Sequence, residues 1–375
     1  MKSIRTGVSR RDVLRGGTAL GALAAFGLPQ LAVGSANAAT MEDWALPPDL
    51  EKAKVEGLEY ASYGMPDTWA NYGEVLQKLG AQLGIQIHHT DTDMSSLEEV
   101  TKYDAEKDNP VAITSDIGIL FGPVADAKGV VPPYTPPNAA RLPAGLKGPN
   151  GGWVATFTGV PTIITNTDVV KNPPKTWEDL LKPEYTGKVQ SIDPSAGGAT
   201  DVAFFLAWAY AFGGDENNFD GAVEYAKKLL GQFSAVSANG QTLEKGEVPI
   251  QLQCDYNAIA AAKRLKDKGI SSDVVVPGVS IYAPYAIMAN KYNLAKMNIA
   301  KLMLDFVLSD EGQTAFARFG AHPIRVALGD LTLPDDAKAN WLPDSMYAQV
   351  KNIPDWSKVS LQRIAEVWQS QVAGG

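Results

Sequence analysis

Apolar positions change period repeatedly along the chain. Leu58–Tyr63 reads as a first strand and ends at Gly64-Met65-Pro66-Asp67. Trp69, Tyr72, Val75, Leu76 and Leu79 then recur at helical spacing, which predicts a helix over 68–83 capped by Asp67 or Thr68. Ile85–His89 alternates as a second strand. A helix follows from Ser95 or Ser96 to Lys107, with Ser96 and Glu99 spaced as a capping box. Ile113–Phe121 holds a third strand with Asp116 near its end. Strand, helix, strand, helix, strand predicts an α/β fold with a parallel sheet covered by helices.

The pattern is interrupted over 132–150, a stretch rich in Pro and Gly that reads as irregular surface. Strand-like sequence returns over 153–165 and again over 189–193. An apolar helix spans 199–212, and two more helices fall near 219–232 and 240–245. Val248–Cys254 reads as a strand with Asp255-Tyr256-Asn257 at its C-terminal end, followed by a helix over 258–268. Strands at 274–277 and 281–289 precede one long amphipathic helix over 295–319 and a mostly helical tail. No internal repeat is visible.

Between these halves lies Gly159–Val189. A β-rich run, Thr162–Thr165, leads into Asn166 and Asp168, and Pro173-Pro174 then form a stiff extended connection. Thr176 is a good N-cap for a short helix that Pro183 ends, and Glu178 and Asp179 suit its first turn. Local signals fit either a link between two lobes or an ordinary loop inside one domain. At 375 residues the chain suits two lobes.

Composition narrows the class. Apolar residues at 45% and charged residues at 20% describe a globular chain with a sizeable core. The first 38 residues read as an export signal: a basic start with Lys2, Arg5, Arg10, Arg11 and Arg15, a weakly apolar run to Val33, and the cleavage pattern Ala36-Asn37-Ala38. Ser9-Arg10-Arg11-Asp12-Val13-Leu14 has the form of a twin-arginine signal, with a general secretory signal as the alternative. The mature chain then starts near Ala39, in the periplasm. Its net charge becomes about −13, because the whole chain carries −9 and the signal +4. That balance argues against nucleic acid or an anionic membrane surface as partner. The single cysteine, Cys254, excludes a disulfide within the chain, and its apolar flanks predict a buried, inert thiol. With three histidines in all, a Cys-His metal site is poorly supported; Asp91 and Asp93 beside His88 and His89 match no metal-loop spacing and read as capping residues. No metal or cofactor is assigned.

Four stretches together resemble the bacterial extracellular solute-binding proteins of ABC transporters, nearest to the spermidine/putrescine and ferric-iron binders. They are SYGMPDTWANYGE, TNTDVVKNPPKTWEDLLKPEYTGKV, GEVPIQLQCDYNAIAA and NIAKLMLDFVLSDEGQTAFARFGAHPIR, and the resemblance covers about residues 55–330. It implies a two-lobed periplasmic-binding-protein type 2 fold with the ligand cleft between lobes. Residues 39–160 and 286–375 would form a discontinuous first lobe and 169–279 the second, joined by crossings at 161–168 and 280–285. It also implies a monomeric, non-catalytic receptor that delivers a small solute to an inner-membrane permease.

Open α/β sheets bind ligands beyond the carboxyl ends of their strands. The strand ends here nominate Ser62, Tyr63, Asp67 and Trp69, then Asp116, then Ser195 and Gly197, then Asp255 and Tyr256. Tyr282 and Tyr285 join them at the second crossing. Each has a structural alternative: Trp69 in the core, Asp67 as a helix cap, the tyrosines in hinge packing. Carboxylates with aromatic faces suit a cationic, polyamine-like solute. A charge-assisted hydrogen bond contributes roughly 1.5–3 kcal/mol, and a cation over a ring about 0.5–2 kcal/mol. Ferric-iron relatives commonly use adjacent tyrosines, whereas Tyr282 and Tyr285 are three apart. An anionic, phosphonate-type ligand stays open through Ser195 and Gly197. The rival of another class is an exported enzyme, but no P-loop, G-x-G-x-x-G, HExxH or G-x-S-x-G frame occurs.

Overall fold

The structure, a computed structural model, describes residues 39–374; the export-signal segment lies outside the described residues. Among the described residues ten strands run in chain order: β1 (Glu59–Tyr63), β2 (His88–Thr92), β3 (Thr114–Gly118), β4 (Trp153–Gly159), β5 (Pro161–Asn166), β6 (Ile250–Cys254), β7 (Ser272–Val275), β8 (Ser280–Ala289), β9 (His322–Pro323) and β10 (Val350–Asn352). The helices are α1 (Leu50–Glu56), α2 (Tyr72–Leu83), α3 (Ser96–Ala105), α4 (Gly122–Lys128), α5 (Ala199–Ala211), α6 (Asp220–Leu229), α7 (Gly240–Glu244), α8 (Asp255–Asp267), α9 (Met297–Phe306), α10 (Asp310–Phe319), α11 (Ile324–Ala327) and α12 (Leu361–Val367).

Two sheets organise the chain. The larger has the order β2-β1-β3-β8-β4-β9, with β10 attached to β8. Its β1, β2 and β3 are parallel, as the alternation of strand and helix predicts, while β8 enters antiparallel between β3 and β4. The smaller sheet has the order β6-β5-β7, with both pairings antiparallel.

The chain changes sheet at Val160, the one residue between β4 and β5. Residues 161–166, read from sequence as part of a crossing, are the central strand of the small sheet, paired on both edges. The Pro173-Pro174 elbow therefore follows that strand and does not link the sheets. The return lies at 276–279, because 280–289 is a single strand bonded into the large sheet. The tail also departs from the expected arrangement. Residues 361–373, assigned by resemblance to the first lobe, pack on α6 and the 194–196 turn, with Trp368 edge-on to Phe205 at 6.0 Å and Arg363 over the Phe219 ring.

Several local departures arise where backbone conformation or a side-chain cap overrides periodicity. α2 starts at Tyr72, because Ala70 (φ 46) and Asn71 (φ 78) occupy the left-handed region and stop the helix from extending back to Thr68. The capping box of α3 is Ser95 with Glu98, one residue earlier than expected, which frees the Ser96 hydroxyl to accept the Gly118 N–H. The long helix over 295–319 is two helices, since Ser309 caps α10 by accepting the Gly312 N–H. The strand expected at 189–193 is reduced to bridges at Val189 with Phe233 and Ile250. One continuous core runs under both sheets, from Trp44 through Phe157, Tyr285 and Phe204 to Trp368.

Candidate functional site

Between the sheets lies a cavity of about 460 Å³. The large-sheet side contributes Pro66, Thr68, Trp69 and Asp93; the small-sheet side contributes Gln190, Thr200, Asp201, Asn239, Gln251, Gln253, Asn257 and Arg264.

Trp69 owes its position to the turn before α2. Its N–H donates to the Pro66 carbonyl and its carbonyl accepts the Tyr72 N–H, while Asn71 is anchored by donation to Glu74 and to the Ala315 carbonyl. The indole thereby lies edge-on to Tyr256 (5.6 Å) and Tyr285 (6.0 Å). Its Nε1–H donates to Asp116 Oδ2 at 2.9 Å, and the Tyr72 hydroxyl donates to Oδ1 at 2.7 Å. Burial pushes the Asp116 carboxyl up to about 8, against the two donors, which favour the ionised form.

Two further carboxyls face the cavity. Asp201 stands in the first turn of α5 and accepts the Asp193 N–H at 3.0 Å; burial pushes it up to about 7. Asp93 is raised first by burial and then by the neighbouring Asp91. Among the described residues neither carboxylate has a Lys or Arg partner, and Arg264 stands exposed at the rim without a carboxylate partner. The remaining lining is largely amide. Gln251 and Gln253 share one face of β6, two residues apart, and are joined by a 2.8 Å hydrogen bond.

Of the residues nominated from sequence, Trp69 lines this cavity, and Asp116, Tyr256 and Tyr285 form the layer beneath it. Tyr256 is fully buried and its hydroxyl has no hydrogen-bond partner. The Tyr285 hydroxyl meets Thr200 Oγ1 (3.1 Å) and Cys254 Sγ (3.3 Å). Cys254 is buried and its thiol is pushed up to about 12, mainly by burial.

The others lie elsewhere. Tyr63 points into the core beside Tyr103 and donates to Glu106, because its strand position puts it on the face opposite Ser62. Ser62 is buried and donates to Asp91 (2.6 Å), with His89 Nε2 2.8 Å from the same hydroxyl. Asp67 is 2.6 Å from His89 Nδ1, so Asp67, His89 and Ser62 fall in the order of a catalytic triad. Asp91, 2.6 Å from the same hydroxyl, competes with His89 for the single Ser62 proton. Ser195 donates to Asp193 and stands outside the cavity lining. Gly197 (φ +87) packs on α3: its carbonyl accepts the Leu97 N–H, and a Cβ would lie 2.6 Å from the Leu97 Cβ. The Ser195 N–H and hydroxyl both donate to Asp193 Oδ1, so the donors this residue was expected to offer an anion are already engaged. Tyr282 lies against the His322 ring at 5.5 Å. Asp255 is the largest correction. It opens α8 instead of ending a strand, it is fully buried, and its oxygens accept from Val160, His322 and Tyr347 behind the cavity.

The sequence reading missed Asp201, Arg264 and the amides. A polar face on an otherwise apolar strand, Gln251 and Gln253 against Ile250 and Leu252, was the available signal. Among the described residues no group of three His, Cys, Asp or Glu side chains is placed to hold a metal ion, and no helix is long and apolar enough to cross a membrane.

Residues 118–348 match the family profile of bacterial extracellular solute-binding proteins. That span is more than half of the chain, and the chain belongs to this family. An uncharacterized protein of Haemophilus influenzae is 27% identical over 225 residues, 56% of this chain and 62% of that protein, so the chain spans less than two thirds of this relative. Two solved structures show the fold. AfuA of Actinobacillus pleuropneumoniae, a periplasmic binding protein with fructose-6-phosphate bound, is 20% identical over 85% of this chain and 99% of its own, at a TM-score of 0.60. Iron-bound HitA of Pseudomonas aeruginosa is 18% identical over 84% and 99%, also at 0.60. The fold is the two-lobed α/β fold of periplasmic binding proteins.

Proposed function

We propose that this chain is the solute receptor of an ABC importer, working in the periplasm after export through the twin-arginine route. It acts as a monomer that closes its lobes on a small cationic, polyamine-like solute and presents the closed form to a permease. Under this reading the lobes follow the sheets: 39–159 with 280–352 in one, 161–275 with 361–373 in the other. The observation that carries the reading is that Asp93 and Asp201, contributed by opposite sides, line one cavity with Trp69 and, among the described residues, neither is paired with a Lys or Arg. Desolvated carboxylates without a counter-ion are raised in pKa, and a bound ammonium relieves that cost. The amide oxygens of Gln253 and Asn257 add acceptors for further N–H groups, whereas those of Gln190 and Gln251 already accept from Leu252 and Gln253.

A second reading has one supporting observation. Arg264 at the rim is free to take an anionic group, in the way a sugar phosphate occupies a family fold-mate. Thermal-shift measurements separate the two. Spermidine or putrescine should raise the melting temperature of the mature chain, with phosphate, fructose-6-phosphate and ferric iron without effect. A shift with a phosphate compound or ferric iron and none with either polyamine overturns the cationic reading.

A further inference from the structure

The carboxylate of Asp255 stands behind the cavity, where the two sheets join. Val160, the one residue between β4 and β5, is held on both its polar atoms: its N–H donates to Asp255 Oδ1 at 2.9 Å, and its carbonyl accepts the Asp255 N–H at 2.9 Å. The other carboxylate oxygen, Oδ2, accepts from His322 Nε2 and from the Tyr347 hydroxyl, each at 2.9 Å.

These partners come from separate parts of the fold. Asp255 begins α8, which follows the small-sheet strand β6. His322 is on β9, bonded to β4 of the large sheet opposite Thr158. Tyr347 lies three residues before β10, which pairs with Ser280–Tyr282 just after the chain returns from the small sheet. The two links are also tied to one another, since the Ser280 hydroxyl donates to the Pro161 carbonyl at 3.1 Å. One buried carboxylate therefore joins the first link, a small-sheet helix, a large-sheet strand and the segment that stitches the second link.

We infer that Asp255, His322 and Tyr347 are positioning residues for lobe closure, setting the angle at which Asp93 and Asp201 come to line one cavity. This rests on the solute-receptor reading. None of the three touches the cavity, so they act through the relative placement of the lobes. Any rotation about Val160 moves its N–H and carbonyl against the Asp255 atoms that hold them. The His322 and Tyr347 donors fix where that carboxylate can sit, and removing either loosens the angle without altering a solute contact.

The test uses the mature chain with nitroxide labels at Gln77→Cys and Lys245→Cys, both exposed and on opposite sides of the cavity, with buried Cys254 left unlabelled. Interlabel distances are measured by pulsed electron paramagnetic resonance, and spermidine affinity by calorimetry. Tyr347→Phe and His322→Phe are expected to broaden or displace the distance distribution in the absence of solute. They should also raise the spermidine Kd about tenfold. His322→Gln, whose amide can still donate to Asp255, should restore both readouts towards wild type. An unchanged distance distribution in folded Tyr347→Phe and His322→Phe, whatever their melting temperatures, overturns the inference. If the distribution shifts while spermidine fails to bind even the wild type, the positioning role stands and the cationic-solute reading falls.

Discussion

Replacing Asp201 by asparagine leaves an acceptor oxygen for the Asp193 N–H, now 3.0 Å away, and removes the proton site. The wild-type carboxyl is pushed from 3.8 to about 7 by burial. A group whose pKa is raised by folding binds more protons folded than unfolded over that window. Its contribution to stability is complete below about 3.8 and is lost as pH rises through about 7. The ionised side chain then costs up to about 4 kcal/mol at pH 8. Asp201 is partly exposed, which reduces this to about 1–2 kcal/mol. Asp201→Asn should therefore melt about 2–6 °C above wild type at pH 8 without solute and at the same temperature near pH 4.

A cationic solute reverses the sign. Binding requires the carboxylate, of which roughly nine tenths is ionised at pH 8 and on the order of one hundredth at pH 5. Spermidine affinity of the wild type should fall about 10- to 100-fold between those values, the ceiling being set by what the neutral carboxyl still binds. Asp201→Asn should bind about 10-fold or more weakly at pH 8, the loss of one charge-assisted hydrogen bond of about 1.5–3 kcal/mol, with a flatter pH profile. Calorimetric titration from pH 5 to pH 8, paired with thermal melts, reads both effects. A wild-type affinity that does not change with pH, or a variant with the full wild-type slope, refutes the reasoning.

Other outcomes follow from the same geometry. Gly159→Ala puts a Cβ 2.6 Å from Tyr256 Cε1 and 2.9 Å from Cys254 Cβ; overpacking there should cost about 1–3 kcal/mol in a urea melt. Asp116 sits at about 8 when folded, so wild-type stability should decline as pH rises through that value, and Asp116→Asn should flatten the decline in melts from pH 6 to pH 9. Trp69→Phe keeps an aromatic face but leaves Asp116 Oδ2 without its donor; it should cost about 1–3 kcal/mol of stability in the same melt.

The α/β class and most elements were legible because strand and helix periods are strong between residues 58 and 289. Boundaries failed where one or two residues decided them: Ala70 and Asn71 in the left-handed region, Ser309 as a mid-helix cap, Val160 alone between two strands. Local patterning could not separate Trp153–Asn166 into two strands of different sheets, since both are fully buried. Site residues were harder still. Sequence places Asp255 beside Tyr256 at the end of an apolar run, but only the fold reveals that its carboxylate turns away to Val160, His322 and Tyr347. Asp201 is concealed in the opposite way, as one acid at the start of a helix whose next eight residues are buried. Trp69 lines the cavity because a large aromatic directly after a strand-ending turn has few places to go except the sheet edge.

The most direct measurement is a crystal structure of the mature chain grown with spermidine. The account predicts density for an extended amine in the cavity, with ammonium groups at Asp93 and Asp201 and a methylene segment along Trp69. An empty cavity at saturating spermidine, or an amine bound away from both carboxylates, contradicts it.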